Sequence, residues 1–306
     1  GRGYGVAIKG DFEASYARKA QELGADYVFV LDKPVIGRSF LEEIQSLGLP
    51  LVWIDHHDVS ENEIAEEFGN VEVYNCTKGE KKTDEPVSYW AYKITGRKED
   101  VWIGVMGCVS DYHIPDFVDE FVERWPELWK EDINGDRGVA YFGTEIGKIA
   151  RGLNYGLKDS VTHVVQLQKH LVSCRGPEDV LAEVPGNKAY RDKYNEVVKK
   201  KDALIKKAND AVEDKIIFFV YGGDVSMSSD LSNELKYLYP EKCIVVGRKN
   251  GGVVNMSLRF KGIKSIFERV RGEIEGLKGG GHEDAIGARV RVEDLEKFKG
   301  LLLREL

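Results

Sequence analysis

An aspartate and two histidines stand together at Asp55, His56 and His57, directly after the apolar run over residues 51–54. The run predicts a buried parallel strand, and the carboxyl ends of such strands are where open α/β sheets place their functional groups. A carboxylate and imidazoles together can bind a divalent transition metal and transfer a proton near neutral pH. The triplet therefore indicates a metal-dependent enzyme. A helix-capping aspartate beside surface histidines is the alternative interpretation.

Two further aspartates follow apolar segments. Asp32 ends the run over residues 26–32, and Asp111 ends a longer apolar stretch over residues 101–111. We interpret both segments as strands of the same sheet. The ends of successive parallel strands converge on one crevice, so we expect these acids to meet the Asp55-His56-His57 triplet there.

A second cluster of candidate residues lies near the carboxyl terminus, where Gly279, Gly280 and Gly281 precede His282. Glycines let backbone N–H groups approach a ligand closely, and successive amides can form an anion-binding concavity. Arg259 ends a neighbouring predicted strand, and its planar guanidinium group could bind a phosphate. We expect a phosphate-binding site here, with an ordinary glycine-rich turn as the alternative.

Strand and helix patterns alternate in the first part of the chain, which predicts right-handed crossovers and a parallel sheet. A charged helix over residues 187–214 is expected to connect this domain, residues 1–186, to a smaller α/β domain over residues 215–306. The fold class is therefore α/β, with helices covering the N-terminal parallel sheet. The expected early elements are a strand over residues 5–9, helices over about 12–24, 38–47 and 85–95, and helices within 117–185.

Composition limits the classes of protein. The chain has 306 residues, of which 42% are hydrophobic, so it can bury the cores of two domains. We expect a soluble, cytoplasmic protein, because we find neither a membrane-length apolar run nor a secretion signal. The four cysteines form no C-x-x-C pair, which disfavours a zinc or disulfide framework.

The net charge of -8 argues against a generally basic nucleic-acid coat, although binding depends on local patches. From Lys215 to the end there are 16 Lys and Arg against 13 Asp and Glu, whereas the preceding part is strongly acidic. We therefore expect any polyanion to bind the C-terminal part.

Taken in order, Asp32, the Asp55-His56-His57 triplet, Asp111 and the glycine-histidine run resemble the motifs of the DHH phosphoesterases that carry a DHH-associated C-terminal domain. That group includes RecJ-like single-strand exonucleases, oligoribonucleases and cyclic-dinucleotide phosphodiesterases. The resemblance extends over nearly the whole chain. It implies a DHH domain over residues 1–186 and a DHH-associated domain over residues 215–306.

The resemblance also implies a two-metal hydrolase, usually Mn²⁺-dependent, with Mg²⁺ as the alternative ion. Asp32 would bridge the metals, and His56 and Asp111 would bind one of them. Asp55 would act as a ligand or orient a neighbouring group, and His57 would contact the scissile phosphate or assist the leaving group. The residues implied to hold the nucleotide are Asn255, Arg259, Gly279, Gly280, Gly281 and His282.

One family motif, an H-x-D-x-D pattern near the amino terminus, has no match in this chain. The segment from Lys9 to Glu13 has acids at Asp11 and Glu13, but a lysine stands where the motif has histidine. We interpret residues 5–24 as the family's second strand-helix unit and expect the first unit to be missing. One metal site would then keep Asp32, His56 and Asp111, and the other would keep only Asp32.

We expect a metal-dependent phosphodiesterase that acts on single-stranded DNA or RNA or on short oligonucleotides. One alternative is a phosphoesterase acting on cyclic dinucleotides, nucleoside bisphosphates or polyphosphate. Another is a non-catalytic nucleic-acid-binding or replication scaffold protein of the same fold. A homodimer or a replication or repair partner fits each of these functions, and a membrane fits none of them.

Overall fold

The computed structural model describes residues 3, 5, 12–58, 61–78, 82–130 and 132–306. The strand expected over residues 5–9 and the candidate acid Asp11 lie outside the described ranges, apart from Gly5. Glu13 directly precedes the first helix. No helix in the described ranges has both the length and the apolar composition needed to cross a bilayer.

The chain forms two compact units, Gly1–Lys193 and Tyr194–Leu306. The boundary falls inside a long charged helix at Lys188–Asn209, close to the position where the sequence predicts a connecting helix. The described residues have the predicted mixed α/β fold, with a parallel sheet in the first unit and a second sheet in the other.

In the described part of the first unit, three parallel strands form a sheet in the order β1-β2-β3. The elements are α1 (Ala14–Glu22), β1 (Val28–Leu31), α2 (Arg38–Ser46), β2 (Leu51–Asp55) and β3 (Val71–Asn75). β1 and β2 lie where the sequence predicts strands, whereas β3 was not predicted. The register pairs Leu31 with Ile54 and Ile54 with Tyr74, so the carboxyl ends of the three strands are adjacent.

The core of this sheet lies on the face that carries Trp53, whose side chain is fully buried. Phe40, Leu41 and Ile44 of α2 pack in the same cluster, as the spacing of an amphipathic helix requires. The indole Nε1 of Trp53 donates a hydrogen bond of 2.7 Å to the carbonyl of Lys33. This bond ties β2 to the segment that directly follows Asp32.

The expectation of a strand ending at Asp111 is wrong. Residues Val101–Ser110 form a helix, α4, and Asp111 follows as its C-cap. The sequence could not distinguish the two, because a uniformly apolar run has neither a helical nor a strand period. Gly107 allows α4 to pack closely against the preceding helix, α3 (Val87–Thr95). A Cβ at Gly107 would lie 2.5 Å from the Cβ of Ser88, which belongs to α3.

The remainder of the first unit is helical, as predicted for residues 117–185. The helices are α5 (Val118–Val122), α6 (Arg137–Gly143), α7 (Glu145–Gly156), α8 (Val161–Ser173) and α9 (Glu178–Leu181), and α10 (Lys188–Asn209) crosses into the second unit.

The second unit is built on a five-stranded sheet in the order β4-β5-β6-β8-β7. β4 and β5 are parallel, and the other pairs are antiparallel. Its elements are β4 (Ile216–Tyr221), α11 (Ser228–Leu238), β5 (Cys243–Asn250), β6 (Val253–Arg259), α12 (Ile263–Arg271), β7 (Lys278–His282), β8 (Ala285–Arg291) and α13 (Leu295–Glu305).

The two faces of this sheet differ because side chains alternate along each strand. Ile286, Ala288 and Val290 of β8 are buried in a cluster with α12 and α13. The residues between them, Gly287 and Arg289, are exposed on the other face. One face therefore forms the core, and the opposite face is exposed along β8.

The glycine run is an edge strand, β7, and not the glycine-rich turn that the sequence left as an alternative. Gly279 and Gly281 are required by packing. A Cβ at Gly279 would lie 2.5 Å from the carbonyl oxygen of Gly287 and 2.7 Å from the ring of Phe267, and one at Gly281 would lie 2.3 Å from the carbonyl oxygen of Ala285. A Cβ at Gly280 would meet no atom within 4 Å.

This difference predicts that the same substitution destabilises the domain at Gly279 and hardly changes its stability at Gly280. Gly279→Ala should lower the free energy of unfolding by about 2 kcal/mol, because the strand must move away from β8 and Phe267. Gly280→Ala should change it by less than about 0.5 kcal/mol. Urea denaturation of the two variants measures the difference, and equal losses would contradict the packing described here.

Candidate metal centre

Asp32 follows β1 directly and has a left-handed backbone conformation, with φ of 57°. Its backbone N–H donates to the carbonyl of Ile54, so the residue continues the pairing with β2 before the chain turns. Residues other than glycine adopt this conformation uncommonly, although aspartate does so more readily than most, and such residues cluster at functional sites. The exposed carboxylate of Asp32 thus stands at the carboxyl end of the sheet.

Asp55 is the last residue of β2, and its side chain is completely buried. Its carboxylate accepts one hydrogen bond from the backbone N–H of His57 at 3.0 Å and lies 2.9 Å from Nδ1 of the same residue. Asp55 is therefore placed to orient His57. With Nδ1 engaged, Nε2 is the ring nitrogen of His57 left for a ligand.

Asn75, at the end of β3, supports the same turn from the other side. Its amide donates a 2.9 Å hydrogen bond to the carbonyl of His57, and its oxygen accepts from the backbone and hydroxyl of Thr77. This residue was not predicted from the sequence. The available signal was the short alternating run that forms β3, which ends in a polar residue as β2 does.

His56 faces Asp32, with 3.4 Å between Nε2 and a carboxylate oxygen. Its ring lies 4.7 Å from that of His57, measured between centroids. One candidate ligand atom from each of Asp32, His56 and His57 lies within 4.8 Å of the others. The structure thus brings together three of the predicted site residues around a space suited to one cation.

Asp111 reaches the same region from the end of α4. Its side chain is exposed at the surface, but the surrounding protein removes enough water to raise the pKa of its carboxyl group, and the negative charge of Asp32 raises it further. Asp111 in turn helps to raise the pKa of His56. Its carboxyl group is not one of the three ligands within 4.8 Å, yet it interacts electrostatically with all three of those residues.

The electrostatics of the centre suit a cation. The hydrogen bond with His56 lowers the pKa of Asp32 and raises that of His56, and Asp55 similarly raises the pKa of His57. Protons on the imidazoles and a divalent cation would therefore neutralise the same carboxylates and compete with each other. Carboxylate and imidazole donors fit Mn²⁺ or Mg²⁺ better than soft thiolate ligands would.

In the second unit, the guanidinium group of Arg259 is held at the end of β6. It donates hydrogen bonds of 2.7 Å to Asn233 and 3.1 Å to Ser229, both on α11. The register places Arg259 opposite Ala285, and Ala285 opposite His282. Directly opposed residues share a face, so Arg259 and His282 flank a small side chain on the exposed face of the sheet.

The other predicted nucleotide-binding residues lie on different faces of the sheet. Gly280 lies on this same face, opposite Gly287, whereas the Cβ positions of Gly279 and Gly281 point into the contacts described above. Asn255 is four residues from Arg259 on the same strand and is opposite Arg289.

The second unit matches a known protein family. Residues 213–306 match the DHHA1 domain family. The C-terminal domain is therefore similar to DHHA1 domains, and we refer to it by that name. The match begins shortly after α10 and includes the whole five-stranded sheet, so Arg259 and His282 belong to the DHHA1 domain. No curated protein sequence matches the chain significantly.

Solved structures share the fold of both units. A DHH domain described as a member of the s1p family of ribosomal proteins has a TM-score of 0.55 and 14% identity, with 94% of this chain and 71% of that chain covered. RecJ from Thermus thermophilus, in complex with Mn²⁺, has a TM-score of 0.57 and 11% identity over 94% of this chain. This chain spans 46% of that RecJ.

An exonuclease RecJ bound to manganese has a TM-score of 0.51 and 16% identity, with 95% of this chain and 78% of that chain covered. These structures show a common fold. Together with the DHHA1 match, they support a DHH-family protein, as the sequence motifs implied.

The buried Asp55 carboxylate yields a prediction about the orientation of His57. Asp55→Asn keeps the volume but replaces one acceptor oxygen with a donor, so either the backbone N–H or the ring nitrogen of His57 loses its partner. We expect the free energy of unfolding to fall by about 1–3 kcal/mol. The ¹⁵N chemical shifts of the His57 ring should show a changed tautomer balance.

Asp58→Asn is the matched control, because Asp58 is exposed three residues further along. It should leave both measurements unchanged. Wild-type His57 shifts in the Asp55→Asn protein would contradict the orienting role.

Proposed function

We propose that this protein is a metal-dependent phosphodiesterase that acts on single-stranded or very short nucleic acid. The observation that carries the proposal is the convergence of Asp32, His56 and His57 within 4.8 Å at the carboxyl end of a parallel sheet. The DHHA1 match and the RecJ-like fold support a phosphoesterase or nuclease over the other enzymes that use this kind of sheet.

The cation at this centre is proposed to be Mn²⁺, with Mg²⁺ as the alternative, held by Asp32 and His56 with Asp111 nearby. RecJ structures with each of these ions support the use of a divalent metal. When bound, such an ion supplies Lewis-acid polarisation of a phosphoryl group and a water nucleophile at neutral pH. The second ion of the complete family site would need ligands beyond these residues.

The protein's own groups have distinct roles in this proposal. Asp55 is a positioning residue, because it is buried and acts through its two hydrogen bonds to His57. His57 is proposed to contact the scissile phosphate through Nε2 and to protonate the leaving oxygen. Its raised pKa, caused first by Asp55, keeps a proton available for that transfer.

Substrate binding is proposed for the exposed face of the DHHA1 sheet. Arg259 is fixed by α11 before any ligand arrives, so little conformational entropy is lost when it binds a phosphate. His282 provides a second donor two strands away, across Ala285. Because Gly280 has no internal contact at its Cβ position, a sugar or base can approach the backbone there.

Removal of single ligands tests the metal centre. Asp32→Ala and His56→Ala should each reduce Mn²⁺-dependent hydrolysis of a labelled single-stranded oligonucleotide by at least about 100-fold, because a metal ligand is lost. Electron paramagnetic resonance of Mn²⁺ should show weaker binding in both variants. Circular dichroism should show that the fold is retained.

The matched controls are Asp26→Ala and His163→Ala. Asp26 is an exposed acid just before the amino end of β1. His163 lies on α8 and pairs with Asp159, which precedes that helix. Both controls should keep wild-type turnover. Undiminished turnover in Asp32→Ala and His56→Ala would refute the assignment.

The substrate class is tested by product analysis with single strands, dinucleotides, cyclic dinucleotides and polyphosphate. Preferential hydrolysis of a cyclic dinucleotide or polyphosphate would favour the alternative phosphoesterase. Mn²⁺ and single-strand binding without turnover of any substrate would favour a non-catalytic nucleic-acid-binding protein.

A further inference from the structure

We infer that the DHHA1 sheet carries a second phosphate-binding site, formed by Lys278 and Arg289 at the opposite end of the face from Arg259 and His282. The register places Asn255, Arg289 and Lys278 directly opposite one another on β6, β8 and β7, and we call these three residues the second row. The first row consists of Arg259, Ala285 and His282. The side chains of the second row share the exposed face with those of the first. The choice of single-stranded nucleic acid as the ligand rests on the proposed function.

The charge of this second row is not neutralised within the described residues. Neither Lys278 nor Arg289 has an ion pair there, whereas other arginines of the domain are paired with carboxylates. Their neighbour Arg291 is one of these, with contacts to Glu293 at 2.9 Å and Asp294 at 2.7 Å. Two adjacent cations that lack acidic partners repel each other, and an anion bound between them would remove that cost.

Arg248 extends the row onto β5, where it is opposite Asn255. It donates hydrogen bonds of 3.3 and 3.2 Å to the carbonyls of Gly223 and Asp224, so part of its guanidinium group is already occupied. Its positive charge still adds to the potential at this end of the sheet. Lys278 and Arg289 are therefore the cations best placed to contact a ligand.

A pocket of about 210 Å³ lies at this row. It is lined by Val253, Gly276, Lys278, Arg289, Val290 and Arg291. A volume of this size accommodates a phosphate group, and the lining includes the two cations of the row, Lys278 and Arg289, besides Arg291, which is paired with carboxylates. The pocket gives the row concave shape as well as charge.

The surface between the two rows has only one small side chain, that of a serine, beside two glycines. Ser257, Gly287 and Gly280 are opposite one another midway between them. A Cβ at Gly280 would meet nothing within 4 Å, and one at Gly287 would only touch the Gly280 oxygen at 3.9 Å. Internal packing does not require glycine at these two positions, so the open floor can instead be used by a strand that passes from one row to the other.

The distance between the rows decides what kind of ligand can use both. Asn255 and Arg259 are four residues apart on one strand, a separation of about 13 Å. That is longer than one phosphodiester repeat, so the two rows would contact phosphates that are not adjacent. A tetranucleotide can occupy both rows, whereas a dinucleotide fills only one.

The second site is tested with the double variant Lys278→Gln/Arg289→Gln. Its affinity is measured for a 5′-phosphorylated deoxyadenylate tetranucleotide and for the corresponding dinucleotide. EDTA is present so that neither oligonucleotide is hydrolysed. Tetranucleotide affinity should fall about tenfold at 0.1 M salt, and dinucleotide affinity by less than about twofold. The slope of log affinity against log salt should decrease in magnitude by about one for the tetranucleotide.

Two controls separate charge at this row from charge or folding elsewhere. Lys264→Gln/Arg271→Gln removes one Lys and one Arg from α12, which packs on the opposite face of the sheet, and should not alter tetranucleotide affinity. Lys278→Arg/Arg289→Lys keeps both charges and should bind the tetranucleotide nearly as well as the wild type.

Equal losses for both oligonucleotides, or no loss for either, would overturn the second site. Competition by inorganic pyrophosphate as strong as by the tetranucleotide would also overturn it, because a small anion would then be the preferred ligand. Since binding is measured without turnover, the second site can fail while hydrolysis persists. Conversely, a protein that is inactive but binds the tetranucleotide through this row would refute only the proposed function and would leave the second site standing.

Discussion

The pair of hydrogen bonds from His57 to the buried carboxylate of Asp55 is the constraint on which the candidate metal centre depends. A buried carboxylate is unfavourable unless its oxygens are satisfied, and here the backbone N–H and the ring of His57 satisfy them. The same bonds fix the direction in which the chain leaves β2. His56 is thereby directed toward Asp32, and one ring nitrogen of His57 stays available.

The parallel sheet makes this arrangement possible. Its register sets the ends of three strands side by side, so Asp32, Asp55 and Asn75 arrive at one edge from different parts of the sequence. The left-handed conformation of Asp32 and the bond from Trp53 to the Lys33 carbonyl hold the first strand end in place. The centre is therefore built on rigid elements, as precise placement of metal ligands requires.

The DHHA1 domain uses the two-residue period of strands in a comparable way. Alternate residues of β6 and β8 form the core with α12 and α13, and the residues between them carry the polar and glycine positions of the exposed face. The glycine run itself has two functions. Gly279 and Gly281 allow β7 to pack closely on β8, whereas Gly280 keeps the exposed face open.

The sequence by itself indicated the strands β1 and β2, the α/β class and the meeting of Asp32, His56 and His57 at one edge of the sheet, because apolar runs followed by acids are local patterns. It could not determine that residues 101–110 form a helix, since a uniformly apolar run suits either structure when buried. It also missed β3 and Asn75, whose run is short and mostly exposed. Only the tertiary structure showed that Asp55 is buried beneath His57 and that the glycine run is an edge strand, because both depend on which distant segments pack beside them.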